Sequence, residues 1–150
     1  MIKIVTFFLF VFFDLFSKYW IKNNLPLNHS IELNSFFDIV YVQNYGVSFG
    51  ILSGLVSHWI LIIIAALVVL LLIYLIQVSK KKSEKLAYFI IIIGAISNIL
   101  DRAMNTFVVD FISMHYRNLY WPAFNLADIY ITIGVIMLII SFFKPSEENK

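Results

Sequence analysis

Apolar residues fall in four long blocks along this chain, at about residues 4–21, 57–78, 86–104 and 124–143. Each block approaches the roughly 20 residues that a bilayer-crossing helix needs. Between the first two blocks the pattern changes. The stretch "SIELNSFFDIVYVQNYGVSFGIL" is rich in β-branched and aromatic residues, and its alternation is nearer period two than 3.6. It predicts a small twisted sheet or hairpin over about residues 30–52. The later piece "TFVVDFISM" is a candidate extra strand. The expected architecture is an all-α membrane protein: four transmembrane helices with a small extracytoplasmic β-sheet, in one domain covering 1–150. The tail "KPSEENK" predicts a disordered end at about 145–150.

Composition agrees with this pattern. Of 150 residues, 61% are hydrophobic and 13% charged, against a usual charged share of about 25%. A net charge of +2 is too small to point to nucleic acid. With no cysteine, thiolate catalysis and cysteine-held metals are excluded. The first block does not read as a cleavable leader, because Asp14 and Lys18 interrupt it and no small-x-small site follows.

Lysine placement predicts orientation. Lys80, Lys81, Lys82 and Lys85 crowd the link between the second and third blocks, and Lys3, Lys144 and Lys150 lie near the ends. An even number of spans puts all seven on one side, which the positive-inside rule makes cytoplasmic. Trp20, Trp59 and Trp121 fall at the opposite ends of the helices, as an interfacial aromatic belt does.

Against this apolar background the polar residues of the spans cluster by depth. At 1.5 Å per residue, Asp14 lies roughly 18 Å up the first helix and Asp101 roughly 22 Å up the third. Asp128 falls in the first turn of the last helix, which enters from outside. Charge near mid-membrane costs about 2.5–3.5 kcal/mol per residue on insertion scales, so several such residues at one depth suggest a shared polar site. Each has a plainer reading. Asp14 and Lys18, four apart, form an ion pair that eases insertion, with Lys18 reaching outward. Asn98, Asp101 and Arg102 join Gly94 on one helix face as interhelical glue, Arg102 neutralising Asp101. Asn125 and Asp128 read as a helix cap and its acidic partner. Asp110, between Val109 and Phe111, reads as a strand-end carboxylate facing water. His29, His58 and His115 show no metal-ligand spacing. Gly46, Gly50 and Gly54 lack the Lys-Ser/Thr of a phosphate loop and read as turns and bulges.

Taken in order, "DLFSK", "QNYGVSFGIL", "GAISNILDR", "VVDFI" and "FNLAD" make the chain resemble the lipoprotein signal peptidases, the signal peptidase II family of membrane aspartyl peptidases. The resemblance covers nearly the whole chain. It implies a catalytic pair, Asp110 and Asp128. It also implies that Asp14, Asn44, Asn98, Arg102 and Asn125 support that pair or touch substrate, with Asp101 a supporting acid and Lys18 and Gly46 grouped with them. The implied reaction removes the signal peptide from a diacylglyceryl-modified prolipoprotein, just before the lipidated cysteine. The resemblance further implies no metal or organic cofactor, inhibition by globomycin-type peptides, a monomer, contact with membrane lipid, and residence in the bacterial cytoplasmic membrane with the active site toward the outer leaflet. Departures from the family pattern are Val47 and Ser48 for two alanines, Ser97 for a glycine, and Ile129 where serine often stands.

The implied chemistry is a shared-proton carboxyl pair, one member a base toward water and the other an acid toward the leaving nitrogen. A helix N-terminus favours the charged form of Asp128, which suggests Asp128 as base and Asp110 as acid. Two rival readings are a transporter subunit with carboxylates on a proton path and a non-catalytic assembly factor that binds a partner helix. Inverted repeats, the usual transporter mark, are not evident.

Overall fold

The structure is a computed structural model that describes residues 2–46, 56–117 and 119–143. Four helices, α1 (Ile2–Asn24), α2 (His58–Val78), α3 (Lys82–Asn105) and α4 (Leu126–Phe143), are each long and apolar enough to cross a membrane. A four-stranded antiparallel sheet, in order β1 (Ser30–Asn34), β2 (Phe37–Asn44), β3 (Val108–Tyr116) and β4 (Leu119–Tyr120), completes the fold.

Helix α3 is central and packs against the other three. Its contact with α4 depends on two glycines. A methyl group added at Gly94 would overlap the Ala127 carbonyl oxygen, and one at Gly134 would overlap Ile91 and the Ala87 carbonyl. Close approach of this kind lets backbones pack where lipid offers no hydrophobic driving force. In α1 the buried residues are Val11, Asp14, Lys18 and Ile21, one stripe at spacings of three and four. Phe8, Phe12, Phe13 and Phe16 are exposed on the rest of that helix. Lipid can cover such a surface, so the polar residues turn inward and the apolar ones outward.

The sheet extends further in sequence than its predicted segment. Strand β3, more than sixty residues beyond β2, pairs along it from Phe37↔Met114 to Asn44↔Val108, with an irregularity between Ile39 and Val42. Alternation along β3 separates two faces. Val109 and Phe111 join Ile21 of α1, Leu25 just beyond it and Tyr41 of β2 in a buried cluster. Asp110, between them, therefore faces the other way. Helix bounds differ from the predicted ones by up to four residues. Helix α3 begins at Lys82 rather than about 86, because lysines at a membrane edge can be helical while their ammonium groups reach water. Helix α4 begins at Leu126 rather than 124, because Phe124 still bridges to Ile112 of β3. Gly46 stands in the turn after β2, and the predicted turns at Gly50 and Gly54, the tail at 145–150 and the substitutions at Val47 and Ser48 lie outside the described residues.

Candidate active site

Four elements bring carboxylates to one level of the molecule: Asp14 from α1, Asp101 from α3, Asp110 from β3 and Asp128 from the first turn of α4. Lys18 organises the first two. It is 1% exposed, with its ammonium 2.8 Å from Asp14 Oδ2 and 3.8 Å from Asp101 Oδ2. The expected outward reach of Lys18 is therefore corrected: three polar partners inside the bundle hold it inward, the third being Asn98 Oδ1 at 2.7 Å. Asp14 also accepts the Ala127 backbone N–H at 2.8 Å, which ties α1 to the open N-terminus of α4. Asp101 accepts the Val109 N–H at 2.8 Å and the Asn105 amide at 2.7 Å. It thereby anchors the start of β3 one residue before Asp110.

Asp110 and Asp128 have a different set of partners. Asp110 is 3% exposed, so the reading of a strand-end carboxylate in water does not hold. Its Oδ2 accepts the Asn44 amide at 2.9 Å and its Oδ1 the Asn125 amide at 2.6 Å. Asp128 Oδ1 accepts the Asn98 amide at 2.9 Å. In each asparagine the amide oxygen is already engaged by a donor: Gly46 N–H on Asn44, Asp128 N–H on Asn125, and the Lys18 ammonium on Asn98. An amide has one acceptor end and one donor end. Fixing the oxygen therefore aims the NH2 group at a carboxylate, and all three asparagines are oriented this way.

Asn125 links the pair directly. Its side chain donates to Asp110, while its backbone N–H faces Asp128 Oδ2 at 3.3 Å. The predicted helix cap is thus present, and the capping residues are also candidate site residues. Burial, and then the Asp128 charge, push the Asp110 carboxyl up to about 7, against the pull of the two amides.

Arg102 does not turn to Asp101 as the sequence suggested. Its guanidinium donates to the backbone carbonyls of Gly46 at 2.5 Å and Asn44 at 3.4 Å, holding the turn that carries Asn44. Its own helix spacing explains this: Asp101 is engaged by Asn105, Val109 and Lys18 on a neighbouring face. Asn105, which sequence reasoning missed, stands four residues after Asp101 and is itself held by Lys22. That i,i+4 spacing was the available signal.

Asp110 and Asp128 line one cavity of about 620 Å³, together with Asn44, Asn98 and Arg102. Away from these polar groups its wall is apolar and descends between α2, α3 and α4, past Ala65, Val68 and Ile99. Ile129 lines this wall, while Ser97 is fully buried. Two carboxyls with neutral hydrogen-bond donors, at the mouth of an apolar groove, can exchange a proton with a reactant whose remaining bulk is greasy.

A family model described as "Signal peptidase (SPase) II" matches residues 6–144. A lipoprotein signal peptidase of Pseudoalteromonas atlantica is 38% identical over 138 residues, covering 89% of this chain and 84% of the relative. One from Shewanella amazonensis is 39% identical over 140 residues, covering 91% and 83%. Two solved structures of bacterial membrane enzymes, obtained by the in meso method at 2.3 and 1.9 Å resolution, superpose with TM-scores of 0.87 and 0.82. Each is 31% identical to this chain. The first alignment covers 99% of this chain and 91% of that one, the second 96% and 94%.

Proposed function

Since the chain belongs to the signal peptidase II family, we propose that it is an aspartic endopeptidase of the bacterial cytoplasmic membrane. It removes the signal peptide from diacylglyceryl-modified prolipoproteins by cutting before the lipidated cysteine. The observation that carries this reading is the convergence of Asp110 and Asp128 on one cavity, joined through Asn125.

The chemistry follows from the unequal settings of the two acids. Asp110, pushed up to about 7, keeps its proton well above the ordinary carboxyl range. Asp128 stands in the first turn of α4, whose N-terminus favours a negative charge. Asp128 then accepts a proton from water as the water oxygen bonds to the scissile carbonyl carbon. Asp110 gives its proton to the leaving nitrogen as the carbon–nitrogen bond breaks. The pair ends with its proton on the other partner and returns by exchange with solvent. Acid and base both come from the chain, so the scheme calls for no metal or organic cofactor.

Arg102 and Asn44 fix the turn over the pair, and Asp14, Lys18, Asn98 and Asp101 hold α1, α3, β3 and α4 in register beneath it. Gly46 gives that turn its carbonyl contact with Arg102 and its N–H contact with Asn44. The lysine distribution supports both termini in the cytoplasm and the acid pair toward the outer leaflet. There a lipidated cysteine has its peptide at the interface and its acyl chains in the membrane. The chain acts as a monomer in this reading, and a globomycin-type peptide inhibits by filling the same cavity.

The test uses purified full-length protein in lipid, incubated with a diacylglyceryl-modified prolipoprotein with and without globomycin. Release of the signal peptide, blocked by globomycin and lost in Asp110→Asn and Asp128→Asn, is the expected result. Cleavage that persists in both variants overturns the reading. So does proton flux into proteoliposomes that is lost in Asp110→Asn without any peptide release.

A further inference from the structure

Asn105 repeats the arrangement that aims the other three asparagines, but its target is Asp101 rather than the acid pair. It is the last residue of α3. Its amide oxygen accepts a hydrogen bond from the Lys22 ammonium of α1, and its NH2 group donates to Asp101 Oδ1 at 2.7 Å. Lys22 Nζ also stands over the Phe107 ring, 5.7 Å from its centre. With the oxygen engaged, the donor end of the amide has one direction. Lys22 is exposed, Asn105 half-buried and Asp101 buried, so these contacts run from the surface inward.

The two oxygens of Asp101 have separate tasks. Oδ1 takes the Asn105 amide, and Oδ2 takes the Val109 N–H at 2.8 Å, with Lys18 Nζ at 3.8 Å. The end torsion of an aspartate is broad, so a pinned Oδ1 is what keeps Oδ2 on Val109. The neighbouring residue gives this bond its weight. Val109 N–H goes to Asp101, and Phe111 N–H goes to the Phe124 carbonyl at 3.0 Å. Together the two bonds bracket Asp110. On its other side Asp110 pairs with Val42 of β2, where the register shifts between Ile39 and Val42. An irregular ladder holds backbone less tightly than a regular one. The bracket therefore fixes Asp110 where cross-strand pairing is weakest.

We infer that Asn105 is a positioning residue for the reaction: by pinning Asp101 against Val109, it sets the backbone from which Asp110 reaches Asn44, Asn125 and the cavity. This inference rests on the peptidase reading and adds a residue to it. Asn105 touches neither acid of the pair and does no chemistry. Nor does it line the cavity, so its loss should slow the chemical step and leave substrate binding alone.

The experiment measures kcat and KM for signal-peptide release from a diacylglyceryl-modified prolipopeptide by wild type, Asn105→Ala, Asn105→Asp and Asn105→Gln in one detergent–lipid mixture. Alanine removes the donor. Aspartate keeps the shape but sets a like charge against Asp101. Glutamine keeps the donor at a helical spacing where an amide and a carboxylate can pair. Asn105→Ala should lower kcat about ten-fold, less than the roughly 10²-fold cost of a 1 Å misplacement, with KM little changed. Asn105→Asp should lose at least as much, and Asn105→Gln should recover most of the loss. In an Asp101→Ala background Asn105→Ala should add no further loss, because the carboxylate it acts through is gone. Wild-type kcat in Asn105→Ala overturns the inference, even where the unfolding midpoint falls, since Asn105 would then serve the fold alone. A loss carried by KM, a glutamine variant no better than alanine, or additive losses with Asp101→Ala would overturn it too. Failure of the wild type to cut the substrate is the separate outcome that overturns the peptidase reading itself.

Discussion

Two pairs of aspartates sit at neighbouring depths in this molecule, and they are treated in opposite ways. Asp14 and Asp101 share the Lys18 ammonium and are closed off by backbone N–H groups from α4 and β3. Asp110 and Asp128 receive amide donors from three asparagines, and their open side is a cavity. Residue type is the same in all four; the partner's charge differs. An ammonium neutralises the charge of a neighbouring carboxylate and ties it in place, which suits a strut. A neutral amide stabilises a carboxylate without dictating its proton count, which suits a group that must gain and lose a proton. Lys18 serves both pairs: it neutralises the first, and it aims Asn98 at the second.

If this division is right, it is widest for isosteric substitution. Asp110→Asn and Asp128→Asn should each lower signal-peptide release at least about 10³-fold, within the range assigned to acid–base groups, while far-UV circular dichroism stays that of the wild type. Asp101→Asn should cost much less activity and more thermal stability. Equal losses of activity across all three would erase the distinction between strut and reactive pair.

Removing the shared cation attacks the closed pair. Lys18→Met leaves two buried carboxylates facing each other without a counter-charge. Breaking a buried pair in this way costs about 3–5 kcal/mol. The loss should appear as a lower unfolding midpoint in detergent. A midpoint that does not move would mean that Lys18 is not the keystone its contacts describe.

Titration tests the open pair. Asp110 rises from an ordinary 3.8 to about 7 in the folded chain, first through burial and then through Asp128. The folded state therefore binds this proton more tightly than the unfolded state does. The stability it contributes is full below about 4 and is lost as pH rises through about 7. Activity should likewise fall above about 7 as the acid loses its proton. Asp110→Asn should flatten the slope of stability between those limits. A rate profile with no alkaline limb, or an unchanged slope in the variant, would separate Asp110 from the role of acid.

How legible this was in the sequence depends on the kind of contact. The spans could be read because membrane helices carry their signal locally, in twenty apolar residues. The existence of a sheet was also local, written in the β-branched run before Asn44. Its membership was not, since the pairing of Val42 with Asp110 joins segments far apart and no periodicity encodes a partner. Asp14 and Lys18 at i,i+4 announced a pair but not its direction. Whether that pair looks to lipid or to the bundle depends on Asn98 and Asp101, eighty residues on. Asn125 and Asp128 show a further limit. A cap and a proposed reactive site have the same local pattern, and only the approach of β3 brings Asp110 to this cap.

The smallest test concerns the joint between the two pairs. Thr106 ends α3 in the left-handed conformation, with φ at 69°, between Asp101 and Asp110. A β-branched residue is poorly suited to this region, and the left-handed conformation costs an L-residue about 1–2 kcal/mol. Glycine adopts it freely but loses roughly 0.5–1 kcal/mol of chain entropy on folding. The balance favours Thr106→Gly by a few tenths to about 1 kcal/mol, read as a small rise in the unfolding midpoint. The Thr106 N–H bond to the Arg102 carbonyl is retained, because glycine keeps the donor. The geometry that joins Asp101 to Val109 should therefore survive, and kcat should stay at the wild-type value. A higher midpoint with a lower kcat would show that strain at this turn presses Asp110 toward Asp128. The reactive pair would then depend on the strut through backbone conformation as well as through Lys18.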